Sequence, residues 1–460
     1  MLGVIAGQTG RHHEAVAQIR QAIAILPGHP EFHKNLGVAL RAAGQNDEAI
    51  AEYRKALAIK PDYAEAHKNL ANLLYGKGHL EEAIASYRSA TTFKPDFAEA
   101  YCNLGAALKS AGQLDEAIDA CRRAIDIKPA YPQALSNLGN ALYAKGELDE
   151  AIASYRMAIQ IAPNIASVWN NLGIALRAKG AVVEAIAAYQ RAVELKPDYA
   201  NAFASIGHSL KEQGRISEAV TAFRKATELK PNSPDWQHLL AALSGDQSPT
   251  STPASFVRQL FDPYASEFDD HLVGQLRYRV PELFLEAVLS VAPGRQFDIL
   301  DLGCGTGLCG VQFRAIAKQM TGIDLSTDML AKAAAKGVYD HLFKADISEA
   351  MREQQDRFDL ILAGDLFVYV GDLADAFKSA TRVLRDGGLF AFSAERHDGE
   401  GFILTSNVRF AHSLAYLRGL AQAHRFDEIH IREIAVRKSG LNDVAGWIVV
   451  LRKPSASGAT

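Results

Sequence analysis

The sequence predicts a multidomain chain, an all-α repeat solenoid followed by a doubly wound α/β domain, and three observations carry that expectation. Prolines recur at Pro27, Pro61, Pro95, Pro129, Pro163, Pro197 and Pro231, each 34 residues from the last (61 − 27, 95 − 61 and onward). A stretch rich in Ser, Thr, Pro and Gly, GDQSPTSTPAS, comes next. Beyond it the apolar run FDILDL passes straight into glycines, and strand-like runs then alternate with helical ones. A chain of 460 residues is also too long for one core.

Within the 34-residue frame, small residues recur at Ala15, Ala49, Ala83, Ala117, Ala151, Ala185 and Ala219, and again at Ala22, Ala56, Ala90, Ala124, Ala158, Ala192 and Ala226. Two helices can approach closely at such positions. Gly44 and its equivalents mark the turn between the helices, where a left-handed backbone costs little without a Cβ. The prolines end each second helix. Leu36-Gly37, Leu104-Gly105, Leu138-Gly139 and Leu172-Gly173, with Tyr53, Tyr87, Tyr155, Tyr189 and Phe223, complete a pattern that resembles the tetratricopeptide-repeat family. The resemblance covers residues 1–245, about seven repeats, with PDWQHLLAAL at 234–243 as a capping helix of the kind stacked repeats need. Met1 aligns five residues past the expected start of the first repeat, so either the start lies upstream or this edge frays or pairs with another chain.

Residues 246–254 read as an inter-domain linker, since they lack apolar periodicity. The second domain then spans 255–453 and a flexible tail 454–460. SFVRQLFDPYASEFDDHL reads as an amphipathic helix and RVPELFLEAVLSV as another, with Pro281 near its start. The first strand runs from Phe297 to Leu302. QMTGIDL, HLFKADI, FDLILAGDL, GLFAFSAE, EIHIREIAV and GWIVVLR follow as further strands, an alternation that argues a sheet with helices on both faces.

Doubly wound sheets place ligands at the ends of their strands. Asp301, Gly303, Gly305 and Gly307 form D-x-G-x-G-x-G at the end of the first strand, where glycines let a ligand approach the backbone. Asp324 ends the second strand, placed to accept hydrogen bonds from two ribose hydroxyls. Asp346 follows the third and suits an adenine amino group, with Ile347 against the ring. The fourth delivers Ala363, Gly364 and Asp365 to the same edge. At these residues the domain resembles class I S-adenosylmethionine-dependent methyltransferases. RQLFDPYASEFDDHL, LRYRVPEL and RFAHSLAYL further resemble bacterial fusions of tetratricopeptide repeats to methyltransferase domains. The resemblance implies S-adenosylmethionine as cofactor, held by Asp301, Gly303, Cys304, Gly305, Gly307, Asp324, Leu325, Asp346, Ile347, Ala363 and Tyr264, with Tyr264 and Phe268 as a lid. Gly305, Gly307 and Gly310 also satisfy the G-x-G-x-x-G of nicotinamide-dinucleotide sites, but that pattern explains neither Asp301 nor Asp346.

Methyl transfer from a sulfonium needs alignment and desolvation more than acid–base machinery. Where a base is required, Asp365, His397 and His412 are the candidates, although a lone histidine in a helix such as AHSLAYL is more often structural. Cys304 reads as a small loop residue and Cys309 as packing. The four cysteines form no C-x-x-C pair, which argues against a metal site and fits a reducing, cytoplasmic setting.

The net charge of −4 supplies no basic field for nucleic acid. Nor does any run approach the roughly 18 apolar residues of a membrane span. On the first helices of the repeats, Asn35, Asn69, Asn103, Asn137 and Asn171 recur every 34 residues, with Arg41, Lys109 and Arg177 further along the same face. That series predicts a groove for a protein or peptide, because an amide offers a peptide backbone both a donor and an acceptor. It resembles the asparagine ladder of O-linked N-acetylglucosamine transferases. The expected function is a methyltransferase whose repeats recruit a substrate or scaffold. The alternatives are a small-molecule O- or C-methyltransferase with repeats used only for assembly, and a repeat scaffold with a cofactor-sensing domain. AGDLFVYV stands where an N-P-P-[YF]-like segment would point to amino methylation of adenine or glutamine, and no paired-glutamate segment is present to hold an arginine.

Overall fold

The structure is a computed structural model that describes residues 11–262, 265, 268–353, 358–439 and 442–455. The chain divides into two compact units, Met1–Arg215 and Ile216–Thr460.

The first unit is a run of antiparallel helix pairs, such as Pro30–Ala42 with Asn46–Ile59 and Ala166–Ala178 with Val182–Leu195. Each pair turns on a glycine in the left-handed region; Gly44 sits at φ 80°, and the amide of Gln45 reaches back to Leu40 O at 2.9 Å to close the helix end. The second helices stop where the next proline forbids helical geometry, so Lys60 is extended at φ −132°, ψ 89°. Ala49, Ala83, Ala117, Ala151 and Ala185 are wholly buried, as their repetition anticipates. Tyr53, Tyr155 and Tyr189 lie flat against Gly37, Gly139 and Gly173, with each ring filling the space a Cβ would take. Outside, Arg20–Glu48, Arg54–Glu82, Arg88–Glu116, Arg122–Glu150 and Arg156–Glu184 make one exposed ion pair per repeat, each of small value to stability.

The second unit opens with helices Ile216–Leu229, Pro234–Ser244 and Ala254–Phe261. Its sheet runs β3 (His341–Lys344), β2 (Ala317–Asp324), β1 (Phe297–Leu302), β4 (Phe358–Ala363), β5 (Leu384–Arg396). The pairings among these five are parallel. β9 (Asn442–Arg452) adds antiparallel to β5, and β8 (Asp427–Ser439) to β9. The order reverses between β1 and β4, the switch point at which open α/β sheets bind ligands. On one face Phe390 and Phe392 of β5 pack with Phe367, Phe377 and Phe426. Val280, Phe284 and Val288 of helix Val280–Val291 cover the other. Among the described residues, no helix is long and apolar enough to cross a membrane.

Three local expectations are revised. The amphipathic segment from Ser255 does not run as one helix to Leu272: it stops at Phe261, and a wider π turn occupies Asp270–Gln275. A short hairpin, β6 (Phe402–Leu404) with β7 (Phe410–His412), stands where no strand was expected. His412 therefore lies on a strand, not in a helix; the helix begins at Leu414 because the Ser413 hydroxyl caps it by accepting the Tyr416 amide.

Candidate active site

The glycine loop leaves β1 at Leu302 and folds back on the end of β2. Gly303, Gly305 and Gly307 all have positive φ, at 64°, 54° and 90°. The Cys304 amide bonds Ile323 O at 3.0 Å, and the Gly305 amide donates to Asp324 Oδ2 at 2.9 Å. A Cβ on Gly303 would meet Leu366 at 2.9 Å, whereas one on Gly305 would meet nothing within 4 Å. The backbone at Gly305 is thus bare toward a cleft of about 1220 Å³, part of it open to solvent.

Gly303, Cys304, Gly305, Asp324, Leu325, Asp346, Ile347 and Asp365 line this cleft together, as does Phe268. Asp324 also accepts the Ser326 amide at 2.8 Å. Burial raises its carboxyl pKa, against the pull of these backbone N–H groups. Asp301 and Ala363 are buried behind the cleft wall. The Asp301 carboxylate accepts the Tyr339 hydroxyl at 2.6 Å, and burial, with Asp324 adding to it, pushes its pKa up to about 7. Gly307 packs near Tyr339. Tyr264 lies outside the described residues.

Of the candidate bases, Asp365 alone faces the cleft. His412 is fully buried, with Nε2 3.0 Å from Gly371 O, and burial lowers its pKa to about 4. His397, half-buried, donates its backbone amide to His412 O. In the solenoid the five asparagines are half-buried. Asn103 Nδ2 donates to Asn72 Oδ1 at 3.0 Å, Asn171 to Asn140 at 3.0 Å, and Asn137 to Cys102 O at 3.1 Å, so these amides bridge adjacent repeats. Arg41 and Lys109 are exposed, and Arg177 pairs with Glu212 at 3.1 Å.

Residues 299–388 match a family model described as a methyltransferase domain. Segments within 39–112 and 139–214 match a TPR repeat model, and 98–131 and 200–233 match tetratricopeptide-repeat models. A malonyl-[acyl-carrier protein] O-methyltransferase from Geobacter sulfurreducens is 30% identical over 195 residues, 41% of this chain and 70% of that protein. The chain belongs to the methyltransferases, with tetratricopeptide repeats ahead of the methyltransferase domain. The Salmonella typhimurium protein of the same description is 34% identical over 134 residues, 29% of this chain and 51% of that one. The Pseudescherichia vulneris protein is matched over 52% of its length, so the chain spans about half of each of these two relatives. Among solved structures, MamA is 31% identical, with a TM-score of 0.34, over 36% of this chain and 97% of that one.

Several residues of this tetratricopeptide-repeat methyltransferase site escaped the motif reading. Asp365, itself at φ 53°, is gripped by Arg409 at 2.6 Å. Arg409 also bonds Glu395 at 2.7 Å and the Tyr369 hydroxyl at 3.2 Å, and Arg437 reaches Glu395 at 2.9 Å. Burial works against the Arg409 charge, but Asp365, Tyr369 and Glu395 outweigh it and raise its pKa. Tyr278 and Tyr369 line the cleft beside Asp365. The quoted segments LRYRVPEL and RFAHSLAYL contain Tyr278 and Arg409, but neither carries a spacing that announces a site.

Proposed function

We propose that the methyltransferase domain takes S-adenosylmethionine as donor and an oxygen atom as acceptor, and that the repeats recruit a protein as substrate or scaffold. The observation that carries the donor reading is the bare backbone of Gly305 facing the cleft beside the buried Asp324 carboxylate. Such a cradle suits a ribose held by two hydroxyls with the rest of the ligand against the loop. Gly303, Cys304, Gly305, Asp324 and Leu325 would hold its ribose and methionine portions, and Asp346 with Ile347 its adenine. When bound, the donor supplies a methyl group on a sulfonium, the leaving sulfur keeping the bonding electron pair. The chain's own part is to align that ligand, exclude water with apolar residues such as Phe268 and Leu272, and present an acceptor.

Oxygen as the accepting atom is supported by the relatives, which are named O-methyltransferases. The recruiting role is supported by the repeat array and its asparagine-lined face. Titration of the full chain with S-adenosylmethionine and S-adenosylhomocysteine tests the donor. Asp324→Ala should weaken binding at least about tenfold, since hydrogen bonds to charged groups contribute roughly 1.5–3 kcal/mol each. Saturable NADH binding with none of the methyl donor would sink the reading. Incubation of cell extract with methyl-labelled donor, followed by separation of macromolecular from small-molecule label, tests recruitment; label confined to small molecules counts against it.

A further inference from the structure

The cleft divides about the switch point. Gly305, Asp324 and Asp346 come from the β1–β2–β3 side, and Asp365 with Tyr278 and Tyr369 from the β4 side. Among the described residues that line it, three are carboxylates, Asp324, Asp346 and Asp365, and none is Lys, Arg or His. Arg409, which holds the lining residue Asp365, is also bonded to Glu395 and Tyr369. Its charge is therefore matched before a ligand arrives. Arg409 takes only Oδ1 of Asp365, and Oδ2 has no hydrogen-bond partner among the described residues. Tyr278 is 5% exposed, and its hydroxyl likewise lacks a hydrogen-bond partner among them. That hydroxyl lies 3.3 Å from where a Cβ on Gly364 would sit. Apolar side chains, among them Val257, Phe261 and Phe268, line the same cleft.

We propose that the β4 side of the cleft is an acceptor subsite for a neutral hydroxyl on an apolar, aryl-sized body, and that it turns away a free carboxylate. The inference rests on the methyl-donor reading above. A carboxylate placed here would find no cation to pair with among the described lining residues, since Arg409 is already held by Asp365 and Glu395, so the loss of its hydration would go uncompensated. A hydroxyl instead donates to Asp365 Oδ2 and accepts from Tyr278, engaging two polar groups on the cleft wall that have no hydrogen-bond partner among the described residues. As the acceptor oxygen bonds the methyl carbon, its proton passes to Asp365 and the carbon–sulfur pair stays on sulfur, so charge and atoms balance. Arg409 is a positioning residue, fixing the orientation of the Asp365 carboxylate through its bond to Oδ1. Burial keeps the Tyr278 phenol protonated, its pKa raised well above the usual value, with Asp365 adding to the effect.

The test uses the full chain and two probes of equal size, 2-naphthol and 2-naphthoate, titrated with and without saturating S-adenosylhomocysteine. Naphthol should bind at least about tenfold more tightly than naphthoate. Tyr278→Phe should cost naphthol roughly three- to tenfold, and Asp365→Asn should admit naphthoate and shrink the preference by a similar factor, both with unchanged S-adenosylhomocysteine affinity as evidence of folding. Naphthoate binding as well as naphthol, or neither probe binding at millimolar concentration, overturns the proposal. Failure of S-adenosylhomocysteine to bind overturns the donor reading instead, while the probe ratio is still read on the protein alone.

Discussion

Asp301 and Asp324 end adjacent strands, yet their partners assign them different work. Asp324 spends its oxygens on backbone N–H groups at the lip of the cleft, whereas Asp301 is sealed behind it against Tyr339. A buried carboxyl whose folded pKa is raised to about 7 holds its proton more tightly in the folded chain than in the unfolded one. Its contribution to stability is therefore fullest below about pH 4 and is lost as pH rises through about 7. Asp301→Asn keeps the acceptor for Tyr339 and removes the titration. The variant should gain on the wild type by on the order of a few kcal/mol between about pH 5 and pH 8 in urea unfolding. A pH-independent difference would contradict the assignment. The glycines that follow β1 divide in the same way. Gly305→Ala meets no protein atom and should cost only about 1–2 kcal/mol of backbone strain, while weakening S-adenosylhomocysteine at least about tenfold because its methyl stands over the cleft. A Cβ on Gly310 would instead come 2.6 Å from the Tyr339 ring. Gly310→Ala should therefore lower the thermal midpoint more than Gly305→Ala does.

At the scale of elements, the parts legible in the sequence are those with a period or a contiguous motif. The 34-residue recurrence of Pro, Gly and Ala gave the helix pairs and their turns, and the apolar run into glycines placed β1 and its loop. What escaped depends on contacts between residues far apart with no shared spacing. Arg409 meets Asp365 across 44 positions. β6 and β7 are each three residues long and leave almost no pattern to read. The asparagine series is visible, but period alone leaves open whether its amides meet a ligand or bond adjacent helices, as Asn103, Asn137 and Asn171 do. One consequence of the repeat packing is a pair of opposite effects from one substitution. Gly173→Ala puts a Cβ 2.5 Å from the Tyr189 ring and should destabilise the solenoid by roughly 1–3 kcal/mol. Gly76→Ala, at the end of a helix and with nothing within 4 Å, should be neutral or add up to about 1 kcal/mol through helix propensity. Thermal unfolding followed by circular dichroism reads both; equal shifts of the same sign would deny the packing role of the Gly–Tyr contacts.

For the whole molecule, the open question is where the methyltransferase unit begins. A start at Ser255 follows from composition, because residues 246–254 carry no apolar period and read as a linker. Yet these residues are stitched to the sheet domain. The Gln247 side chain makes two hydrogen bonds to the Leu404 backbone, at 2.7 and 3.2 Å. Thr250 O accepts from Gly371, and the Thr252 amide donates to Tyr369 O at 2.8 Å. Ser251 and Thr252 also line the cleft. The preceding helix, Pro234–Ser244, belongs to the same set of contacts: Asp235 accepts from Ser255 and Gln259, and His238 meets the edge of Phe256. We propose that the independent catalytic unit starts at Ile216, not after the linker. A chain of residues 216–460 should bind S-adenosylhomocysteine as the full chain does. One beginning at Thr252 loses the Gln247 and Thr250 bonds and the helix beneath Phe256. With net values of about 1 kcal/mol per hydrogen bond and about 2–4 °C per kcal/mol for a domain of this size, its thermal midpoint should fall by roughly 5–10 °C. Equal midpoints and equal affinities for the two chains would show that the strap adds nothing, and would return the start of the domain to Ser255.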